Sequence, residues 1–187
     1  QSDVSIRSVY LLVSGDHILS TVNRGTVPVL DSDREITAQH VEAAARAARV
    51  ANLAEDREVI HTINQQFYVD DQEGVLNPEG MEGSQLALSV LVVHGNANRL
   101  RNTIKVVQNV PLNVEDVAFS GLCSALSVLT PEQKESGTLV IDMGGGTTDV
   151  FMYAPRHPAF AMGVGVGGDH VTNDIAIGLR LPTRQAE

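Results

Sequence analysis

The sequence predicts a mixed α/β fold, in which a small α+β unit precedes a sheet that carries a glycine-rich hairpin. Three observations support this prediction. Short apolar runs alternate with helical patterns over residues 1–108. The apolar run at residues 139–141 ends in a carboxylate and leads directly into three glycines. Another strand-like run, residues 150–153, follows with no helix between, so the glycines are predicted to form a hairpin.

The composition and charge of the sequence indicate a folded protein and argue against some kinds of partner. The 187 residues are 43% hydrophobic and 19% charged, which allows a sizeable core. The net charge is −10 and the 13 basic residues are scattered, which argues against a nucleic-acid partner. The single cysteine, Cys123, excludes an intrachain disulfide and fits a reducing cytoplasm. Its small and apolar neighbours predict a structural thiol rather than a nucleophile.

The first elements are predicted to be two strands. The apolar run at residues 9–13 is a buried strand that ends at a turn. Residues 18–22 and 26–30 are a return strand, interrupted at residues 23–25. Because proline cannot donate to a sheet, Pro28 places that part at an edge or at a strand end.

The rest of this first unit is predicted to be a helix, further strands and a second helix. Thr37 is predicted to cap a helix that runs to about Val50, with small alanines that pack closely on a sheet. Strands are predicted at residues 59–64, 67–69 and 86–93. Residues 70–83, between the last two, are turn-rich and acidic, and a second helix begins at about residue 97. Together with the first strands they predict a small α+β unit over residues 1–108.

The second half is predicted to begin with a short strand and a helix of small residues. The predicted elements are a strand at 114–119, a helix at 121–129, a polar closing segment at 130–137, strands at 139–142, 150–153 and 159–166, and a helix at about 170–179. The glycine loop therefore lies between two consecutive strands.

The glycine hairpin is the candidate phosphate site. Glycines let backbone N–H groups approach a polyphosphate closely, and threonine hydroxyls add donors. The predicted phosphate-binding residues are Gly144, Gly145, Gly146, Thr147 and Thr148. Asp142 is anionic and is therefore predicted to act on the Mg²⁺ that accompanies ATP, through water. The alternative is a tight glycine hairpin without a ligand.

This loop differs from the P-loop and Rossmann phosphate loops, and a second pair of glycines is also a candidate phosphate site. No helix follows the glycines and no lysine ends them, unlike P-loop and Rossmann motifs. Gly167 and Gly168 precede the last predicted helix, whose N-terminus could bind an anion. They could equally be packing glycines at a strand end.

The segment from Val140 to Val150 resembles the second phosphate motif shared by actin, the Hsp-seventy chaperones and sugar kinases. Other segments are similar to the FtsA family of bacterial cell-division proteins: Ser14-Gly15-Asp16-His17-Ile18, Gln72-Glu73-Gly74-Val75-Leu76-Asn77-Pro78, Ser127-Val128-Leu129-Thr130 and Gly168-Asp169-His170-Val171-Thr172-Asn173-Asp174-Ile175-Ala176. The resemblance runs from about residue 9 to the end. It implies an actin-like ATPase (ribonuclease H-like) fold with an inserted α+β subdomain.

The resemblance also implies a domain layout. Residues 1–108 would be the inserted subdomain 1C, residues 109–136 part of subdomain 1A, and residues 137–187 the start of subdomain 2A with the phosphate-2 hairpin. The first phosphate motif, the adenosine motif, the FtsZ-contacting subdomain 2B and the C-terminal amphipathic membrane helix are not among the 187 residues. Both ends are therefore expected to be cut, and this piece to bind ATP weakly or not at all.

In function, the resemblance implies an ATP-binding protein that polymerises with itself and anchors FtsZ filaments to the cytoplasmic face of the inner membrane at the septum. Subdomain 1C would recruit later division proteins. Any ATPase activity would be weak, and no residue is assigned as a catalytic base. Asp149 and Asp174 match the family pattern but are interpreted as local caps or hydrogen-bonding groups.

Two alternatives stay open. A pilus-assembly adaptor of the PilM type shares the fold and the inserted subdomain. A sugar kinase of the same superfamily would need a substrate domain, which the first 108 residues do not resemble. The segments at 72–78 and 172–176 favour the cell-division family.

Overall fold

The computed structural model describes residues 5–30, 33–110 and 112–187. The elements in chain order are β1 (Ser8–Val13), β2 (Leu19–Pro28), α1 (Ala38–Arg49), β3 (Arg57–Val69), β4 (Gln72–Val75), β5 (Gln85–Asn96), α2 (Ala97–Gln108), β6 (Asn113–Phe119), α3 (Ser120–Val128), α4 (Pro131–Ser136), β7 (Thr138–Met143), β8 (Thr148–Ala154), β9 (His157–Val164), α5 (Gly168–Leu179) and α6 (Thr183–Ala186).

These strands form three sheets. A four-stranded antiparallel sheet has the order β2-β5-β3-β4, and a three-stranded antiparallel sheet has the order β7-β8-β9. Strands β1 and β6 form a parallel pair. The four-stranded sheet therefore lies, in sequence, entirely between the two strands of that pair. The mixed α/β composition agrees with the sequence prediction.

Strand β5 is the centre of the structure because both of its faces are buried. Val90 and Val92 face a core that includes Ala44 and Ala48 of α1. The alternate residues, Leu91 and Val93, face a second core; its other buried members are Val13, Ile18, Leu100, Phe119, Ala125, Phe151, Tyr153 and Ala161. A strand with apolar residues at almost every position can only be stable between two such layers.

Helix α1 lies unusually close to β2. A Cβ atom built on Gly25 would lie 2.1 Å from the backbone nitrogen of Ala48 and 2.6 Å from the carbonyl oxygen of Ala44. Asn23, two residues earlier, donates from Nδ2 to the carbonyl of Ala48 at 2.7 Å and to that of Val50 at 2.9 Å. The predicted close packing of the alanine stripe is therefore confirmed.

Several sequence predictions about β1 and β2 need correction. The predicted interruption at residues 23–25 is wrong, because β2 is continuous. Asn23 and Gly25 look like turn residues but serve the contact with α1. The prediction that β2 returns alongside β1 is also wrong: β2 pairs with β5, and β1 pairs with β6. Pro28 is indeed the last residue of an edge strand.

Other elements differ in smaller ways. Residues 57–69 form one strand, with register shifts between Val59 and His61 and between Asn64 and Gln66. The acidic turn region includes the short strand β4. The polar segment at 130–137 includes α4, whose first turn is closed by reciprocal hydrogen bonds between Thr130 and Gln133.

Direct hydrogen bonds attach the four-stranded sheet to the rest of the molecule. Gln65 Nε2 donates to the carbonyl of Pro158 at 2.7 Å, and the N–H of Ala161 donates to Ser20 Oγ at 2.8 Å. The N–H of Phe119 donates to His61 Nε2 at 2.9 Å. Burial lowers the pKa of His61 although the charge of Asp116 opposes the shift, so the ring stays neutral and can accept this bond.

The three-stranded sheet exposes an apolar face. Leu139, Ile141 and Met143 on β7 are 52%, 60% and 64% exposed. They alternate with half-buried residues of the same strand, as expected for a strand that is covered on one side only. Across residues 5–30, 33–110 and 112–187, no helix has the length and apolarity needed to cross a membrane.

The contact of Gly25 with α1 gives a stability prediction. Gly25→Ala should lower the free energy of unfolding by about 1–3 kcal/mol or more, because the methyl group would overlap backbone atoms that cannot move independently. Gly178→Ala is the matched control, since a Cβ there meets no described atom within 4 Å. Urea unfolding of both variants tests this. Equal midpoints for Gly25→Ala and the wild type would contradict it.

Candidate nucleotide-binding site

The glycine loop is a tight hairpin between β7 and β8. Asp142 lies opposite Asp149, and Met143 lies opposite Thr148, in the antiparallel register. The N–H of Gly144 donates to the carbonyl of Thr147 at 2.8 Å and closes the turn. The strand–glycine–strand arrangement predicted from the sequence is therefore confirmed, and it brings two carboxylates side by side at the base of the hairpin.

The tip of the hairpin presents backbone donors to solvent. Among the described residues, no acceptor lies in hydrogen-bonding geometry for the N–H groups of Gly145, Gly146 and Thr147. Gly145 and Gly146 are exposed and Thr147 is half-buried. A Cβ on Gly146 would meet no atom within 4 Å in the part of the chain that the structure describes, so the space in front of the tip is open there. Clustered N–H groups of this kind form a concave anion site.

Asp142 is held by a serine of α3. Its Oδ2 accepts a hydrogen bond from Ser124 Oγ at 2.5 Å, and the carboxylate remains half-buried. Within the part of the chain that the structure describes, no group of three or more His, Cys, Asp or Glu side chains could hold a metal ion. A cation at Asp142 would therefore take most of its ligands from water and from a bound phosphate.

Asp149 is the buried member of the carboxylate pair. It is 4% exposed, and its Oδ1 accepts a hydrogen bond from Ser14 Oγ at 2.8 Å. Burial raises the pKa of Asp149 above its usual 3.8, and the charge of Asp142 raises it further. Hydrogen bonds from Ser14, Ser120 and the backbone of Gly15 act in the opposite direction.

The start of α5 packs against the hairpin. The N–H groups of Gly168 and Asp169 donate to the carbonyls of Gly144 and Gly145, at 2.9 and 2.8 Å. A Cβ on Gly167 would lie 2.4 Å from the carbonyl oxygen of Gly145. The first donors of α5 are thus engaged with the loop, which favours the packing interpretation of Gly167 and Gly168 over a free anion site.

Thr148 also supports the loop. Its hydroxyl donates to the carbonyl of Val166 at 2.7 Å, so its only proton is used within the protein. The hydroxyl of Thr147, in contrast, lies beside the open tip, 2.9 Å from Ser14 Oγ. Among the described residues, Thr147, unlike Thr148, therefore has a hydroxyl that is not bonded to a backbone carbonyl.

A third carboxylate lies next to the tip. A Cβ on Gly145 would be 3.1 Å from Oδ2 of Asp169. With Asp142 and Asp149 at the base, the hairpin is bordered by acidic groups on more than one side. A bare polyphosphate would be repelled by these charges, whereas a magnesium–nucleotide complex would offset them. The residues present fit such a complex.

The structure brings the predicted residues of the hairpin and of α5 together, and it adds residues that sequence reasoning missed. Ser14 and Ser124 contact the two carboxylates. Ser14 lies in one of the segments that resemble the FtsA family. Ser124 lies in a helix of small residues, where nothing in the sequence marks it as a site residue. Asp174 is exposed on α5 and is not part of the hairpin.

Comparisons with known proteins identify the family and the fold of the chain. Residues 15–94 match the family model described as the SHS2 domain inserted in FtsA, and residues 139–187 match the model of the cell division protein FtsA. By structure, the PilM-PilN type IV pilus biogenesis complex is similar over 90% of this chain and 46% of that chain, with a TM-score of 0.54 and 16% identity. At that identity the likeness concerns the fold alone.

The hairpin, the sheets around it and the inserted SHS2 domain define the chain as part of an actin-like ATPase fold. The curated relatives are more specific. Cell division protein FtsA of Pseudomonas aeruginosa is 40% identical over 97% of this chain and 43% of that protein. The protein of the same name from Escherichia coli K12 is 34% identical over 100% of this chain and 44% of that protein. The chain belongs to the FtsA family of cell-division proteins, and it spans less than half the length of these relatives.

The buried carboxylate predicts a pH dependence. Because the folded state raises the pKa of Asp149, ionising this group costs stability above its unfolded pKa. The free energy of unfolding of the wild type, relative to Asp149→Asn, should therefore fall as pH rises from about 3.8 through the raised folded pKa, and then level off. Urea unfolding of both proteins between acidic and neutral pH measures this difference. A difference that does not change with pH would contradict it.

Proposed function

We propose that this chain supplies one wall of a Mg–ATP site, with the phosphates bound at the tip of the glycine hairpin. The observation that supports it is the set of outward N–H groups on Gly145, Gly146 and Thr147, together with the Thr147 hydroxyl. Backbone N–H groups can only donate hydrogen bonds, and a hydroxyl can donate one. Both therefore suit phosphate oxygens, which accept hydrogen bonds. The identity of the base, adenine, is supported by the family resemblance rather than by a contact.

In this proposal, Asp142 orients the Mg²⁺ through water. Ser124 holds the carboxylate in place by donating to Oδ2, which leaves Oδ1 for a metal-bound water. Gly167, Gly168 and Thr148 support the hairpin from behind rather than bind the phosphates. The site would be completed by parts of an FtsA protein other than those aligned with this chain.

We further propose a domain assignment that follows the sheets and that replaces the expected start of subdomain 1C at residue 1. Because β1 pairs with β6, we place both strands in subdomain 1A, with the inserted subdomain 1C beginning after β1 and ending with α2. The match of residues 15–94 to the inserted SHS2 domain supports this start. Strands β7 to β9 and α5 would open subdomain 2A.

The cell-division role suggests what the site is for. Within that role, we propose that a full-length protein containing this sequence polymerises, anchors FtsZ filaments to the cytoplasmic face of the inner membrane at the septum, and recruits later division proteins through subdomain 1C. A C-terminal amphipathic helix outside this chain would bind the membrane. Nucleotide would control assembly, with at most weak hydrolysis, and no residue is proposed as a catalytic base.

Gly146 offers a test of the phosphate site. In a full-length protein containing this sequence, the side chain of Gly146→Val should block a phosphate oxygen from the backbone N–H groups at the tip. Mg–ATP binding should weaken by ~10–100-fold, which corresponds to the loss of one hydrogen bond to a charged group. A Cβ at this position meets no atom of the described residues within 4 Å, so the melting temperature should change little. Calorimetric titration measures the affinity.

Two further variants complete this test. Gly145→Val should abolish binding, a larger effect than that of Gly146→Val, but its side chain would also press on the carboxylate of Asp169. Gly178→Val, at an open position of α5, should leave the affinity unchanged. Wild-type affinity in Gly146→Val would refute the proposed location of the phosphates.

The partner proposal is tested by co-precipitation. A full-length protein containing this sequence should retain FtsZ and should not retain peptides of a pilus-assembly protein such as PilN. The opposite result would favour the adaptor function suggested by the PilM-PilN complex, which shares the fold. Retention of neither would refute the division-scaffold proposal in its present form.

A further inference from the structure

Ser14 lies where the glycine hairpin meets the segment that leads into the four-stranded sheet. It is the first residue after β1. Its hydroxyl oxygen is 2.8 Å from Oδ1 of Asp149 and 2.9 Å from Oγ1 of Thr147. A single side chain therefore contacts both the buried carboxylate and the threonine beside the open tip.

The direction of these hydrogen bonds follows from the number of protons. A serine hydroxyl has one proton, and Ser14 donates it to the carboxylate of Asp149. Ser14 must then accept from Thr147, so the Thr147 proton points toward Ser14 and away from the space in front of the hairpin. The same proton would be needed for a hydrogen bond to a phosphate oxygen. Thr147 cannot donate to both.

The residues after Ser14 connect it to the four-stranded sheet. The N–H of Ile18 donates to the carbonyl of Gly15 at 3.0 Å, and the N–H of Gly163 on β9 donates to the carbonyl of Ile18 at 2.9 Å. The N–H of Asn96, at the end of β5, donates to Nδ1 of His17 at 3.2 Å. Residues 14–18 are referred to below as the connecting segment.

A salt bridge and a close backbone contact strengthen the connecting segment. Asp16 pairs with Arg99 of α2. A Cβ on Gly163 would lie 1.9 Å from the carbonyl oxygen of Gly15, so β9 and this segment touch through their backbones. These contacts join the connecting segment to β5, α2 and β9, and close packing of this kind would carry a displacement of Ser14 to all of these elements.

We propose that Ser14 is a positioning residue that couples nucleotide occupancy to the connecting segment. The Thr147 hydroxyl donates to Ser14 when the site is empty and to a phosphate oxygen when nucleotide is bound. Loss of the Thr147 bond leaves Ser14 held by Asp149 alone and loosens the attachment of the connecting segment to β5 and β9. This inference rests on the proposed binding of Mg–ATP at the hairpin.

The proposal makes an unusual prediction for affinity. Ser14 competes with phosphate for the Thr147 proton, so Ser14→Ala should tighten Mg–ATP binding by about fivefold, the equivalent of one neutral hydrogen bond. Ser14→Thr retains a hydroxyl and should restore the wild-type affinity. Ser20→Ala is the matched control, because Ser20 accepts from Ala161 in the same region but does not contact the hairpin. Its affinity should not change.

Amide hydrogen exchange gives a readout that does not depend on affinity. In a full-length protein containing this sequence, Mg–ATP should speed exchange at the amides of Asn96 and Gly163. In Ser14→Ala, exchange at both should be fast already and should not respond to nucleotide. In Thr147→Val without nucleotide, both amides should exchange as fast as in the nucleotide-bound wild type. Thr103→Val removes a hydroxyl bond within α2 instead and should leave them unchanged.

The outcomes separate this inference from the proposed function. A wild-type protein that binds no Mg–ATP overturns the proposed function and the coupling with it. A wild type that binds Mg–ATP, with equal or weaker binding by Ser14→Ala, overturns the coupling alone. Unchanged exchange at Asn96 and Gly163 in Thr147→Val also overturns it, because the hydroxyl would then not hold Ser14.

Discussion

The burial of β5 on both faces is the constraint on which the other parts of the structure depend. One face contacts α1 through small alanines, and the other contacts the core that includes Phe119 and Phe151. Phe119 ends β6 and Phe151 lies in β8, so this second core extends from the four-stranded sheet to the strand that follows the hairpin. Because protein interiors are closely packed, a shift of the strand that follows the hairpin would disturb the packing of the four-stranded sheet.

The site itself balances opposed electrostatic requirements. The hairpin tip presents N–H donors that suit an anion, whereas Asp142, Asp149 and Asp169 border it with negative charge. Burial raises the pKa of Asp149, and hydrogen bonds from Ser14, Ser120 and the backbone of Gly15 lower it. This arrangement suits a ligand that brings its own cation, and Ser14 and Ser124 hold the two carboxylates beside the hairpin by hydrogen bonds.

The sequence predicts local features well and long-range pairings poorly. The hairpin at 142–149 could be predicted because its strands are adjacent and its glycines have a recognised chemical use. The pairing of Ser8 with Asn113 could not, because no local pattern joins strands on either side of a long insertion. Asn23 and Gly25 predict an interruption of β2 that does not occur, because their polar and small side chains serve a helix contact. Ser124 was missed because a serine in a small-residue helix has no distinctive spacing.

The parallel pair of β1 and β6 also constrains the order of folding. Bringing these strands together in an unfolded chain closes a long loop, which is entropically costly. The antiparallel pairings of β5 with β2 and β3 involve shorter separations and a complete apolar core of their own. Contacts between near neighbours form faster than distant ones. We therefore expect the four-stranded sheet to form first and to act as a template that holds the ends of β1 and β6 at pairing distance.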